Sequence, residues 1–329
     1  MRHLAIRVGT AFIVLVLSLQ AAETGLGVRT PQLGAVLDEQ SKQLRVIEGV
    51  PGAANLGAGS SIGAVEQAWI SPQSKRALVR LGGETPGLAV VDWQEQFRVF
   101  RSDALSGGAD FAAISPSAKT FTRSIGGKIE AWQIGLGSLN LLWTADAPDG
   151  IAALAISDDG ELVAVVAPGS VQVLQSAGRN STVASMAAFG AMSFAHNSHA
   201  FLLGEETAGK ALFFEDALGQ APSEILWEVA SPESLIGISF SGDNRRIALA
   251  LATETSGKVR LTDILGQNML VFDTESRPNG LFRAQGNAVF QLSSSSKGTI
   301  YLLDGDSPEP RLVTVPGLAE INNLEVINE

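Results

Sequence analysis

The sequence predicts an all-β fold, a β-propeller of about seven four-stranded blades around a central channel, and three observations support this. Charged residues make up only 17% of the 329 positions, whereas glycine occupies 35, a composition typical of short strands joined by tight turns. A degenerate motif recurs along nearly the whole chain. Its apolar residues alternate or form short runs, which is the spacing of strands and not of helices.

The repeat consists of an apolar residue, a small or polar anchor residue, two or three turn formers and a β-rich run. The seven anchors are Asp38, Ser71, Ser115, Ser157, Ala195, Ser241 and Arg283. The differences between these positions are 33, 44, 42, 38, 46 and 42 residues. About 40 residues suffice for one four-stranded blade, which buries its two faces only when neighbouring blades stack on it. The first unit is short around 52–61, so six, seven and eight blades all remain open.

Residues 1–22 have the pattern of a secretory signal peptide. A basic start precedes an apolar stretch from Val8 to Leu19, and Ala21 and Ala22 provide small residues for cleavage. The apolar stretch is shorter than the roughly 20 residues of a membrane-spanning helix. We therefore predict an exported protein, periplasmic or extracellular, with one propeller domain over 23–329 and no membrane span after cleavage of the signal.

Charge and cysteine content exclude several classes of function. The formal net charge is −11, and removal of residues 1–22, which carry two arginines and no acid, makes it −13 (−11 − 2). Nucleic acid is therefore not an expected partner, because its binding relies on lysine and arginine displacing counterions from phosphates. The absence of cysteine excludes disulfides, thiolate metal sites and cysteine nucleophiles.

Four aspartates end predicted third strands of blades. They lie 21, 21, 22 and 21 residues after their anchors, at Asp92, Asp216, Asp263 and Asp304. Together with the Ser-Pro turns at 71–72 and 115–116, this pattern resembles the WD40-like β-propellers of bacteria, including periplasmic relatives with Ser-Pro-Asp-Gly-Lys-type turns. The Gly-His pair of strict WD40 repeats is absent. The resemblance implies a propeller but no particular activity, since propellers include both enzymes and binding modules.

Histidine, the commonest acid-base and metal-binding side chain, is scarce. His3 belongs to the predicted signal peptide, and His196 and His199 lie in the fifth turn, where we expect them to project from a hairpin tip and not into the channel. A two-histidine metal site there requires carboxylates such as Glu205 or Glu206. A solvated turn is the simpler interpretation.

The predicted innermost strands, directly before the anchors, consist mostly of Ala, Gly, Ile, Leu, Phe and Ser. Such strands supply no general acid, general base or metal ligand to the channel. The loops that lead into them carry four acids, Glu66, Asp110, Asp149 and Glu233. If these loops converge at one channel mouth, the acids form a candidate site for Ca²⁺ or a cationic group, with scattered solvated charge as the alternative. We predict no other cofactor and no catalytic residue.

The inert channel favours a non-enzymatic protein-binding, glycan-binding or scaffold module of the cell envelope. The alternative is a propeller enzyme of the hydrolase or lactonase type that carries a divalent metal in its loops. A metal assay separates the two, because the enzyme hypothesis requires a bound ion.

Overall fold

Strands of eight residues or fewer account for nearly all regular structure of the chain. The computed structural model describes residues 30–71, 75–83, 86–94, 96–219, 221–227, 233–294 and 299–316. Within these ranges there are 27 strands and one short 3-10 helix, Asp103–Leu105. The predicted all-β class is therefore confirmed.

The strands form seven antiparallel sheets, the blades, and each blade is a contiguous stretch of chain. Blade 1 contains β1 (Gln32–Asp38), β2 (Gln43–Glu48) and β3 (Asn55–Gly59). Blade 2 contains β4 (Val65–Ser71), β5 (Arg76–Leu81), β6 (Gly87–Asp92) and β7 (Arg98–Phe100). Blade 3 contains β8 (Phe111–Ile114), β9 (Thr120–Ile125), β10 (Lys128–Ile134) and β11 (Leu139–Asp146).

The other four blades follow the same order from the inner to the outer strand. Blade 4 contains β12 (Ala153–Ile156), β13 (Leu162–Ala167), β14 (Ser170–Gln175) and β15 (Asn180–Ser185). Blade 5 contains β16 (Phe189–Phe194), β17 (Phe201–Glu205), β18 (Lys210–Phe214) and β19 (Ser223–Leu226). Blade 6 contains β20 (Ser234–Phe240), β21 (Arg246–Ala252), β22 (Gly257–Asp263) and β23 (Leu270–Thr274). Blade 7 contains β24 (Pro278–Arg283), β25 (Val289–Ser294), β26 (Ile300–Asp304) and β27 (Arg311–Val315).

The second strand of a blade is the most apolar because neighbouring blades cover both of its faces. All six side chains of β13 are buried, and six of the seven in β21 are buried. The outermost strands instead expose much of their surface, as β11 shows with alternating and exposed side chains. The second strands are therefore apolar runs, and the outermost strands combine apolar and polar residues.

Blade-to-blade packing closes the ring. Seven clusters of buried apolar residues lie between the blades, one for each adjacent pair. The cluster between blades 7 and 1 includes Ile47, Leu302 and Val315. The Gln291 Nε2 atom also donates a hydrogen bond to the Ala35 carbonyl at 3.1 Å. The predicted number of seven blades is confirmed; within the described ranges six blades have four strands and blade 1 has three.

The predicted signal peptide, residues 1–22, lies outside the described residues. In the part of the chain that the structure describes, there is no helix long and apolar enough to cross a membrane. From Pro31 onward the described chain forms one compact unit.

Candidate functional site

Side chains of four anchor residues stabilise the hairpin turn between the first and second strands of their own blade: Asp38, Ser115, Ser157 and Ser241. Ser157 Oγ accepts a hydrogen bond from the Leu162 amide at 3.0 Å and donates one to the Asp159 carboxylate at 2.6 Å. Ser241 makes the equivalent pair of bonds in blade 6. Small polar anchors are favoured because their side chains bond the local backbone in this way. These turns lie together on one side of the ring, which we call the turn face.

Turn residues also connect neighbouring blades on the turn face. Asp158 is only 5% exposed, and its two carboxylate oxygens accept hydrogen bonds from the Ser117 amide in blade 3 and the Asn197 amide in blade 5, each at 2.7 Å. Asn244 of blade 6 bonds the backbone N–H and C=O of His196 at 3.0 and 2.9 Å. The turn face is therefore held by side chains that reach from one blade to the next.

A pocket of about 250 Å³ lies at the centre of the ring on the turn face, and we call it the channel pocket. It is lined by the carboxyl-terminal ends of the inner strands of blades 2 to 7 and by the first residues that follow them. Its apolar walls include Ile114, Ile156, Phe194, Ile238, Phe240 and Phe282. A concave apolar site with a few polar groups is the usual form of a ligand-binding site.

Arg283, the anchor of blade 7, lines the channel pocket and is the exception among the anchors. Its side chain is 8% exposed, and both of its Nη atoms lack a hydrogen-bond partner among the described residues. Gly242 leaves room for it, because a Cβ atom at that position would lie 3.0 Å from Nη1. Burial lowers the pKa of the guanidinium, and the negative charge of Asp158 opposes this shift. A buried cation without a partner costs several kcal/mol.

His196 also lines the channel pocket, which corrects the prediction that it projects from a hairpin tip. The hydrogen bonds of its backbone to Asn244 draw the turn towards blade 6, and its ring then faces the pocket. Nδ1 lies 3.3 Å from Asp158 Oδ2 but lacks hydrogen-bond geometry. Burial lowers the pKa of His196 and the charge of Arg283 adds to this, while Asp158 acts in the opposite direction. The lowered pKa favours the neutral imidazole.

His199 lies at the outer part of the same turn, where its Nε2 atom is 2.7 Å from Asp159 Oδ2. Together with Glu161 these residues form a group whose candidate ligand atoms lie within 4.8 Å of one another. Asp159 already accepts hydrogen bonds from Ser157 and from the Glu161 amide, and both acids of the group are exposed. Glu205 instead pairs with Lys210, at 3.7 Å.

The four acids predicted for a channel mouth lie in two kinds of environment. Glu66, Asp110 and Asp149 are exposed. Glu233 is 4% exposed, and its carboxylate lies 2.6 Å from Lys258 Nζ. None of these acids belongs to the one group of three or more potential metal ligands that the described residues bring together. Binding of Ca²⁺ by the four acids stays a prediction.

Arg283 differs from the other anchors already in the sequence. Six anchors are Asp, Ser or Ala, residues that fit a tight hairpin turn, and the seventh is a long cation in the same position of the repeat. A position that departs from its repeat in both size and charge indicates a function other than stabilising the turn.

Two solved structures share this architecture. A protein from Lactobacillus plantarum matches with a TM-score of 0.59 and 13% identity, over 87% of this chain and 96% of its own. A functionally unknown protein from Desulfotomaculum acetoxidans DSM 771 matches with a TM-score of 0.58 and 10% identity, over 87% of this chain and 100% of its own. The likeness shows the fold alone. Neither a family model nor a curated protein matches the sequence.

Proposed function

We propose that this protein is an exported, non-enzymatic binding module of the cell envelope whose channel pocket receives an apolar group of a partner protein. The observation that supports this most is the apolar pocket of about 250 Å³ at the ring centre. Its apolar lining residues also belong to the clusters between blades, as Ile156, Phe194 and Phe240 do, so the cores of the blades themselves form this concave surface. Its walls suit a side chain of a protein better than a hydroxyl-rich glycan.

The hydrogen bonds of the pocket favour binding over hydrolysis. The hydroxyl groups of Ser71, Ser193 and Ser239 donate to backbone carbonyls, at 2.7, 3.1 and 3.3 Å. A serine nucleophile instead requires its hydroxyl to be bonded to a histidine base. The alternative, a hydrolase or lactonase-like enzyme with a loop-borne divalent metal, predicts metal in the purified protein and a thermal shift with Ca²⁺ or EDTA.

Export is supported by residues 1–22 and by the resemblance to WD40-like bacterial propellers. We expect the mature protein to begin after Ala21 or Ala22 and to be found in the periplasm or outside the cell. Fractionation with amino-terminal sequencing tests this. An intact amino terminus in the cytoplasmic fraction would contradict it.

A variant that fills the pocket tests the binding function. Ala155 lines the channel pocket, whereas Ala187 is exposed before β16, at the other end of an inner strand. We expect wild type and Ala187→Phe to capture the same partner from envelope extract and Ala155→Phe to lose it. Protease treatment should destroy the captured partner; sensitivity to glycosidase alone would indicate a glycan. Equal capture by Ala155→Phe would reject the pocket as the binding site.

A further inference from the structure

We infer that the channel pocket recognises a carboxylate, with Arg283 binding the single carboxylate of a ligand whose apolar part packs against the pocket walls. This inference rests on the proposed function, because it names the chemical group that the pocket receives. It adds an ionic contact to a site whose other lining is mainly apolar.

The guanidinium of Arg283 has hydrogen-bond donors without acceptors among the described residues. Arg283 is 8% exposed and lines the pocket, and neither Nη atom has a hydrogen-bond partner among the described residues. Leaving charged donors unpaired in the interior is unfavourable, so the site gains stability when an anion supplies acceptors. The planar guanidinium presents parallel N–H groups whose spacing matches the two oxygens of a carboxylate.

The charges near Arg283 bear on the charge of the ligand. Asp158 interacts electrostatically with the guanidinium, and His196 interacts with Arg283, Asp158 and Lys119. Asp158 is held by two backbone amides, and Lys119 Nζ donates to Asn197 Oδ1 at 2.7 Å. A singly charged ligand therefore adds less repulsion with Asp158 than a doubly charged one. A phosphate dianion would add an unmatched charge next to Asp158, in a chain whose net charge is already −11.

The volume and walls of the channel pocket limit the rest of the ligand. Apolar walls enclose a volume of about 250 Å³, which accommodates a group of amino-acid size. An apolar residue at the carboxyl terminus of a partner protein combines both features, as does a free small acid. These two sources share the same chemistry, and peptide probes distinguish them.

Calorimetric titration of the wild-type protein with paired probes provides the test. The small probes are N-acetylphenylalanine, its neutral amide and inorganic phosphate, and the peptide probes are a pentapeptide ending in phenylalanine as the free acid and as the amide. We expect each acid to bind at least about tenfold more tightly than its amide and phosphate not to bind. A peptide acid that binds more tightly than N-acetylphenylalanine indicates a chain terminus, and equal affinity indicates a free small acid. Absence of binding by both acids would overturn the inference.

Substitution of Arg283 tests its role directly. We expect Arg283→Met to lose at least about tenfold in affinity for the acids, to leave the amides unaffected, and to have an unchanged or higher melting temperature, because it removes an unpaired buried charge. Arg283→Lys should retain part of the preference for acids. Arg245→Met, an exposed arginine on the turn face, is the matched control and should bind as wild type does.

The outcomes separate this inference from the proposed function. Equal affinity of acid and amide, with both lost in Ala155→Phe, would reject carboxylate recognition and leave the pocket as an apolar binding site. Unchanged affinity for the acids in Arg283→Met would also reject it. Partner binding that survives Ala155→Phe would reject the pocket itself.

Discussion

Asp158 and Arg283 are buried charged residues of the turn face that differ in their hydrogen bonding. The Asp158 carboxylate is buried and accepts backbone hydrogen bonds from blades 3 and 5, so its environment satisfies it. The Arg283 guanidinium is equally buried, yet its Nη atoms have no such partners in the described part of the chain. The Asp158 carboxylate is thus satisfied within the fold, whereas the Arg283 guanidinium retains donors for the ligand proposed above.

Replacement of Asp158 should therefore destabilise the protein. In Asp158→Ala the buried Ser117 amide and the partly buried Asn197 amide lose their acceptors, and we expect the free energy of unfolding to fall by about 1 to 3 kcal/mol. Asp158→Asn retains one carbonyl acceptor and should lose less. Denaturation with urea measures both changes. Asp216→Ala, which removes an exposed carboxylate whose one hydrogen bond among the described residues is with the Leu218 amide, is the control and should change stability by less than about 1 kcal/mol; similar losses at both positions would contradict the prediction.

Three hairpin turns contain an aspartate whose carboxyl pKa is lowered. Asp38, Asp159 and Asp243 occupy corresponding turns in blades 1, 4 and 6. Burial acts to raise the pKa of each carboxyl group, but hydrogen bonds from a neighbouring serine hydroxyl and from backbone amides outweigh it. The pKa of each is therefore lowered below its ordinary value of about 3.8.

A carboxyl group with a lowered pKa stabilises the folded state at neutral pH, and this stabilisation is lost when acid protonates the group. The contribution of these three aspartates is fully present above pH 3.8, their unfolded value, and is lost as the pH falls through the lowered folded values. We expect the urea midpoint to fall steeply below about pH 4. The double variant Ser157→Ala/Ser241→Ala removes two of the serine donors and should flatten this fall; an unchanged acid profile would contradict the assignment.

His196 acts in a separate and higher pH range. Its pKa is lowered from 6.5 by burial and by Arg283, so its contribution to stability is complete above pH 6.5 and declines as the pH falls below that value. His196→Gln therefore serves as the control for the acid titration. The variant should remove the decline in stability that begins below pH 6.5 and leave the decline below about pH 4.

At the scale of the whole molecule, the ring closes by side-chain packing between the first and last blades. The buried cluster between blades 1 and 7 contains residues far apart in the chain, such as Ile47 and Leu302. Each of the other six interfaces has a comparable apolar cluster. Every blade is thus covered on both faces, as a small sheet requires.

Truncation of one leucine at the closure should cost as much as truncation at an internal interface. Leu302 lies between blades 7 and 1, Leu202 lies between blades 5 and 6, and both are fully buried. We expect Leu302→Ala and Leu202→Ala each to lower the free energy of unfolding by about 2 to 5 kcal/mol. Leu136→Ala is the control, since Leu136 is 99% exposed. A small loss at Leu302 with a large loss at Leu202 would mean that the ring is not closed by this packing.

Local chemistry in the sequence was enough to predict the blades. Each anchor ends an inner strand or directly follows one, as Asp38 ends β1 and Ser241 follows β20. This works because turn formation and strand alternation depend on residues only a few positions apart. Blade 1 was the unclear case, since Gly- and Ala-rich residues around β3 give a weak strand pattern, and it has three strands within the described ranges.

The sequence by itself thus determined the class of fold, the repeat and its seven turns. Only the tertiary structure decided which turn residues line the channel pocket, because Arg283 and His196 come from different blades and approach Asp158 of a third blade only in the closed ring. The same is true of Glu233, an acid that the sequence assigns to a loop at the channel mouth and that folding buries beside Lys258. Burial and charge pairing depend on contacts between residues far apart in the chain, so a local sequence pattern does not predict them.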